Sequence, residues 1–254
     1  MEDILLTQGI AVFAASLHED PERERSIVRK FLRRRVDGLI LSTVGKNQSY
    51  LFSEIERGTP IVFVDRAPNG IEVDTVTSSN AEGAAAATGQ LSEAGHRRIA
   101  YLGDDMDIQT ARERNRGFLQ ESSRTGIPSG DVIQIGGIRN EHEARSVTHE
   151  ILDLAQPPTA IFAAQNLVTL GAIRALRERE LHKRVALVGF DDIMLGDVVD
   201  PGITVVAQNP QRIGELAAER ALARMQGGDI PPETIIVPTT LIPRGSGETP
   251  PYVD

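Results

Sequence analysis

Residues 158–192 read PTAIFAAQNLVTLGAIRALRERELHKRVALVGFDD. Two apolar runs, Thr159–Ala164 and Arg184–Phe190, flank a stretch, Asn166–Glu180, with the period of a helix that buries one stripe. The runs are continuous in Val, Ile, Leu, Phe and Ala rather than alternating, as in strands covered on both faces. Strand, helix and strand in this order form a right-handed βαβ unit of a parallel sheet. This stretch decides the fold class as α/β.

Working outward, the same beat repeats. Strands are predicted at Ile10–Ser16, Val36–Ser42, Pro60–Asp65, Asp74–Thr77, Arg97–Gly103, Val132–Ile135, Ile203–Val206 and Thr234–Ile242. Helices are predicted at Pro21–Arg35, Ser49–Arg57, Asn80–Ala94, Thr110–Thr125, Glu141–Ala155 and Pro210–Gln226. Asp20-Pro21 is an N-cap followed by proline in the first turn, and Gly58, Gly95, Gly126 and Gly227 stand where helices end. About ten strands divide more easily between two sheets than one. No Gly/Ser-rich tether separates them, so short crossovers are expected at Gly103–Ile108, Ala207–Pro210 and Val237–Thr239. One lobe is thus expected from residues 1–104 and 209–236, the other from 105–208 and 237–254.

The start of the chain breaks the beat. Glu2–Gly9 reads as the last two turns of a helix with no strand before it. A strand and most of a helix, roughly 15–20 residues by average element lengths, are expected upstream.

Composition narrows the function. The 254 residues carry 27 Lys and Arg against 36 Asp and Glu, a net charge of −9, which does not suit a surface gripping phosphate backbones. There is no cysteine, hence no disulfide, thiolate zinc site or thiol nucleophile, and no tryptophan. No apolar run reaches the ~18 residues of a membrane span, and the acidic opening Met1-Glu2-Asp3 is unlike a signal peptide, so a cytoplasmic location is expected. Phosphate-loop, G-x-G-x-x-G and G-x-S-x-G signatures are absent, so neither an enzyme nor a bound cofactor is expected. His142 and His149 are seven residues apart on one helix, about 10.5 Å by helix rise, too far to share a metal. The pairs Asp104-Asp105 and Asp191-Asp192 would suit magnesium only if they converged, and the boundary above assigns them to different lobes. No metal site is expected.

What remains is a set of polar residues just past strand ends, where open α/β sheets place ligands. Asp65-Arg66 follow one strand, Gln165-Asn166 another, Phe190-Asp191-Asp192 a third and Gln208 a fourth; Arg112 opens the helix after Gly103. Carboxylates accept from hydroxyls, arginine donates in a fork, amides do both and phenylalanine offers an apolar face. The mixture suits a polyhydroxylated small molecule such as a sugar or nucleoside.

These residues also carry a resemblance. Val36–Leu41 (VDGLIL), Pro60–Arg66 (PIVFVDR), Gly95–Gly103 (GHRRIAYLG), Thr110–Phe118 (TARERNRGF), Pro158–Ala163 (PTAIFA) and Val188–Asp192 (VGFDD) resemble the LacI/GalR family of bacterial transcription regulators, as does Val205–Gln208 followed by Gly214. It spans nearly the whole chain, and GHRRIA with a downstream VGFDD is its most specific part. It implies two Rossmann-like lobes joined by three crossovers, as in periplasmic sugar-binding proteins, with a small-molecule effector in the cleft. Positions matching Asp65, Arg112, Gln165, Phe190, Asp191 and Gln208 contact the effector in that family, and Arg66 matches a contact of the sugar-binding relatives. It further implies a homodimer that meets operator DNA only through an N-terminal helix-turn-helix headpiece, which this sequence lacks. Gln165-Asn166 departs from the family's usual Asn-Asp. The alternative is a solute-binding protein of a sugar transporter.

Overall fold

A computed structural model describes residues 1–227 and 230–252. The chain divides into two units, Met1–Ser78 with Asn209–Val237, and Ser79–Gln208 with Pro238–Asp254.

The first unit is built on a four-stranded parallel sheet. Its strands are β1 (Leu39–Leu41), β2 (Ile61–Val64), β3 (Asp74–Ser78) and β9 (Thr234–Val237), adjacent in that order. Side chains alternate along β2. Ile61 and Phe63 pack with Val28 of α2 (Pro21–Arg33), while Val62 packs on the other face with Ala217 and Ala221 of α8 (Pro210–Met225). Helix α2 starts where the side chain of Asp20 accepts from the N–H groups of Glu22 and Arg23. The unit also contains α1 (Glu2–Thr7) and α3 (Phe52–Glu56). Asp74 is buried where β3 begins; its carboxylate accepts from Arg220 at 2.5 Å and Arg224 at 2.8 Å, both on α8. Burial pushes this carboxyl up, but the two guanidinium groups and the Glu233 N–H outweigh it and hold it below the usual range.

The second unit has six strands in the order β10-β8-β7-β6-β4-β5, all parallel except β10. They are β4 (Ile99–Leu102), β5 (Val132–Ile135), β6 (Ala160–Ala163), β7 (Ala186–Phe190), β8 (Thr204–Ala207) and β10 (Thr240–Ile242). Helices α4 (Asn80–Glu93), α5 (Gln109–Arg124), α6 (Glu141–Leu152) and α7 (Asn166–Glu178) complete it. β6, α7 and β7 form the unit from which the sequence was read. A cluster of Tyr101, Phe118 and Phe162, with ring centroids 5.2–6.3 Å apart, fills one side of the sheet. Gly117 permits α5 to lie directly on α4, because a Cβ there would fall 2.0 Å from the carbonyl oxygen of Ala81.

The GHRRIA motif serves this fold. His96 is fully buried, its Nε2 2.8 Å from the carbonyl oxygen of Thr249 and its Nδ1 2.8 Å from the Thr159 hydroxyl, which ties the C-terminal segment to the sheet. Burial pushes the imidazole pKa down against the raising effect of the Thr249 carbonyl. Arg98 anchors the same edge through Asp131 and the carbonyl of Gln156.

The structure corrects three expectations. The first crossover is at residues 78/79, not in Gly103–Ile108, so residues 79–104 belong to the second unit. The reason is pairing: β4 lies between β5 and β6, and α4 packs on α5. Both acidic pairs therefore share one unit, where Asp192 is taken by a fork from Arg244 at 2.6 and 2.8 Å and Asp105 pairs with Arg139. Thr234–Ile242 is two strands rather than one, since β9 joins the first sheet, β10 the second, and Pro238 between them cannot donate to a ladder. Ile10–Ser16 is not a strand, for among the described residues no strand lies beside it to pair with. Among the described residues, no helix is long and apolar enough to cross a membrane.

Candidate functional site

In the second unit β8, β7, β6 and β4 are consecutive parallel neighbours, so their carboxyl ends line one edge at about 4.8 Å per strand. Phe190 ends β7 and is fully buried. The guanidinium of Arg114 sits over it, its central carbon 3.8 Å from the ring centroid. Arg114 also donates from Nε to Asn80 Oδ1 and from Nη1 to the Ala164 carbonyl, both at 2.9 Å. One buried cation thus joins α4, α5 and the ends of β6 and β7.

Asp191 is the first residue past β7, at φ +73°, a conformation that Asp tolerates better than most residues. Its N–H donates to the Val206 carbonyl at 2.9 Å, and its Oδ1 accepts from Gln208 Nε2 at 2.6 Å. Gln165, at the cap of α7, presents a buried Oε1 with no hydrogen-bond partner among the described residues. Arg112 is exposed, and its Nη1 donates at 2.8 Å to the carbonyls of Met106 and Asp107, fixing the loop after β4.

Asp65 and Arg66 lie in the first unit, past β2. Asp65 repeats the turn of Asp191, with φ +68° and its N–H 2.9 Å from the carbonyl of Val76 on the neighbouring strand. Arg66 makes a two-pronged bridge to Glu19 at 2.8 and 3.0 Å and reaches the Thr43 carbonyl. Of the residues picked from sequence, Phe190, Asp191 and Gln208 are thus brought into direct proximity, with Gln165 one strand over, just past β6, and Arg112 on the helix that follows β4.

Two residues were missed. Arg114 was legible, because Ala111, Arg114 and Phe118 follow the three- and four-residue spacing of the buried stripe of α5, and a charge in that stripe needs partners. Glu19 carried no comparable signal. Among the described residues no group of three or more His, Asp or Glu is placed to hold a metal ion.

Residues 88–247 match the family model for a periplasmic binding protein-like domain. The chain belongs to this family. Within it, the chain is the effector-binding core of a LacI/GalR-type regulator. It is 28% identical over 231 residues to the HTH-type transcriptional repressor PurR of Aliivibrio salmonicida, covering 89% of this chain and 69% of that protein. A solved protein from Burkholderia thailandensis described as a ribose operon repressor is 30% identical, with TM-score 0.83 and coverage of 95% and 90%. The transcriptional regulator CelR, solved with cellobiose, is 27% identical, with TM-score 0.83 and coverage of 96% and 76%. This LacI-type core therefore resembles regulators rather than transport proteins.

Proposed function

We propose that the effector of this LacI-type core is a carbohydrate or a related polyhydroxylated molecule, contacted by Asp65, Arg66, Arg112, Gln165, Phe190, Asp191 and Gln208. The observation that carries this reading is the buried, unpartnered Gln165 Oε1 just past β6, one strand from the hydrogen-bonded pair Asp191 and Gln208 just past β7 and β8. A buried amide oxygen without a donor costs about 1–3 kcal/mol, and a ligand hydroxyl relieves that cost. Cellobiose in the CelR complex and the ribose operon of the Burkholderia relative support a sugar.

Binding shifts the conformational equilibrium of the core and thereby the operator affinity of the complete regulator, a coupling typically of about 1–3 kcal/mol. The regulator acts in the cytoplasm as a homodimer. Met194, Leu195 and Val198, in the segment after β7, are 91%, 63% and 68% exposed and offer an apolar patch for self-association. Calorimetric titration with pentoses, hexoses, disaccharides and nucleosides tests the ligand class. Saturable heat with a sugar or a nucleoside supports it; no saturable heat with any of these would overturn it. Sedimentation tests the dimer, and Met194→Glu is expected to yield monomer.

A further inference from the structure

Residues 21–35, which form α2 and the turn after it, read PERERSIVRKFLRRR. They carry seven cations against two carboxylates, a local charge of +5 in a chain whose net charge is −9. Of the two carboxylates, Glu24 is buried inside the unit, where it accepts from the hydroxyls of Thr43 and Tyr50 and the N–H groups of Val44 and Gly45. At about 100° per residue, Glu24, Val28 and Phe31 share the inward side of α2. Arg25, Arg29 and Arg33 form an exposed row on the outward side, each about 6 Å along the axis from the last, with Arg23, Lys30 and Arg34 beside them. Arginines elsewhere are paired, as Arg98 with Asp131, Arg179 with Asp153 and Arg244 with Asp192. Arg29, Lys30, Arg33, Arg34 and Arg35 form no ion pair among the described residues. Like charges four residues apart on a helix repel. The helix dipole favours cations in the last turn, which accounts for Lys30, Arg33 and Arg34 but not for Arg25 and Arg29.

We propose that the outward face of α2 binds the phosphate backbone of duplex DNA without regard to sequence. Three features select this partner. Six of the seven cations are arginine, whose planar fork matches phosphate oxygens. The other residues of the face are Glu22 and Ser26, so it lacks the apolar or aromatic anchors on which protein interfaces depend. The apolar stripe of α2 is taken up by the core through Val28 and Leu32, which leaves nothing to enter a membrane. The core belongs to a regulator that works on DNA, a polyanion with one charge per about 1.7 Å of axis. Contacts of this kind hold and orient a protein on the duplex while base contacts made elsewhere choose the site. A local array thus does what the net charge of the chain does not suit.

Fluorescence anisotropy of residues 1–254 with a labelled duplex of arbitrary sequence tests the proposal. It needs no effector, so a core that binds no sugar leaves it standing. Binding is expected at low salt, with log Kd rising against log salt at a slope of about 4–5, from about 0.9 per neutralised phosphate and about five cations. Arg29→Gln combined with Arg33→Gln should lower that slope by about 2. Arg145→Gln combined with Arg174→Gln, whose partners in the second unit are Glu178 and Glu141, should leave it unchanged. Glutamine has nearly the helix propensity of arginine, and equal thermal melts verify that both variants fold. Absence of binding at low salt, or equal slopes for wild type and the α2 variant, overturns the proposal. So does tighter binding of a polyglutamate peptide or of phosphatidylserine vesicles than of the duplex, which would make an acidic protein or a membrane the partner.

Discussion

Arg114 is stacked on Phe190 at 3.8 Å while its N–H groups hold Asn80 and the carbonyl of Ala164, so the floor beneath the Asp191 turn is a buried cation rather than a hydrocarbon layer. Phe190 is thereby fixed from below, and Asp191 leaves the strand at a defined angle. Positioning and stability depend here on the same contacts.

Arg114→Ala removes the stack and strands two buried acceptors. It is expected to destabilise the second unit by about 2–6 kcal/mol, at roughly 1–3 per unsatisfied group. Arg114→Lys keeps the charge but loses the planar fork, and should recover only part of this. Urea unfolding measures both; equal stability of wild type and Arg114→Ala would show the network to be energetically idle.

Arg112→Ala and Asp191→Asn are expected to weaken effector binding by about 1.5–3 kcal/mol each, a 10- to 150-fold rise in Kd. Asparagine is chosen over alanine because residue 191 sits at φ +73°, where alanine adds backbone strain of about 1–2 kcal/mol unrelated to the ligand. Calorimetry on the folded variants reads the loss, and unchanged affinity in both would remove these residues from the site.

His96 makes stability pH-dependent. Its folded pKa lies below the ordinary value because it is buried, so protonation favours the unfolded chain. The stability from the neutral imidazole is complete above about pH 6.5 and declines as pH falls toward the folded value. The urea midpoint of the wild type should drop between pH 7 and pH 5, and His96→Gln should flatten that slope.

Asp74 acts lower on the scale. Its folded pKa is depressed, so its contribution is present above the unfolded value of about 3.9 and lost as pH falls through the folded one. Asp74→Ala leaves Arg220 and Arg224 without their shared carboxylate and should cost the first unit about 3 kcal/mol at neutral pH, read from its denaturation midpoint.

Gly117→Ala sets helix propensity against packing. Alanine gains about 1 kcal/mol in a helix, but its Cβ would lie 2.0 Å from the Ala81 oxygen, and forcing α4 and α5 apart costs about 1–3 kcal/mol. Net destabilisation is expected in thermal melts, whereas a raised Tm would mean the helices separate freely.

The sequence by itself determined the βαβ rhythm, the parallel sheets and the polar residues beyond their strands, because burial on both faces writes continuous apolar runs and turn chemistry writes their ends. Pairing is a matter between distant segments, so only the tertiary structure decided that residues 79–104 join the second unit and that β9 and β10 part at Pro238. The same holds at the site. Asp65 and Asp191 stood out as residues after strands, but their shared left-handed turn comes from a hydrogen bond to the adjacent strand. Arg114 and Glu19 took their places through contacts with Phe190 and Arg66, which lie far from them along the chain. Local periodicity reports what a segment must bury. Which neighbour buries it is settled only when the chain closes on itself.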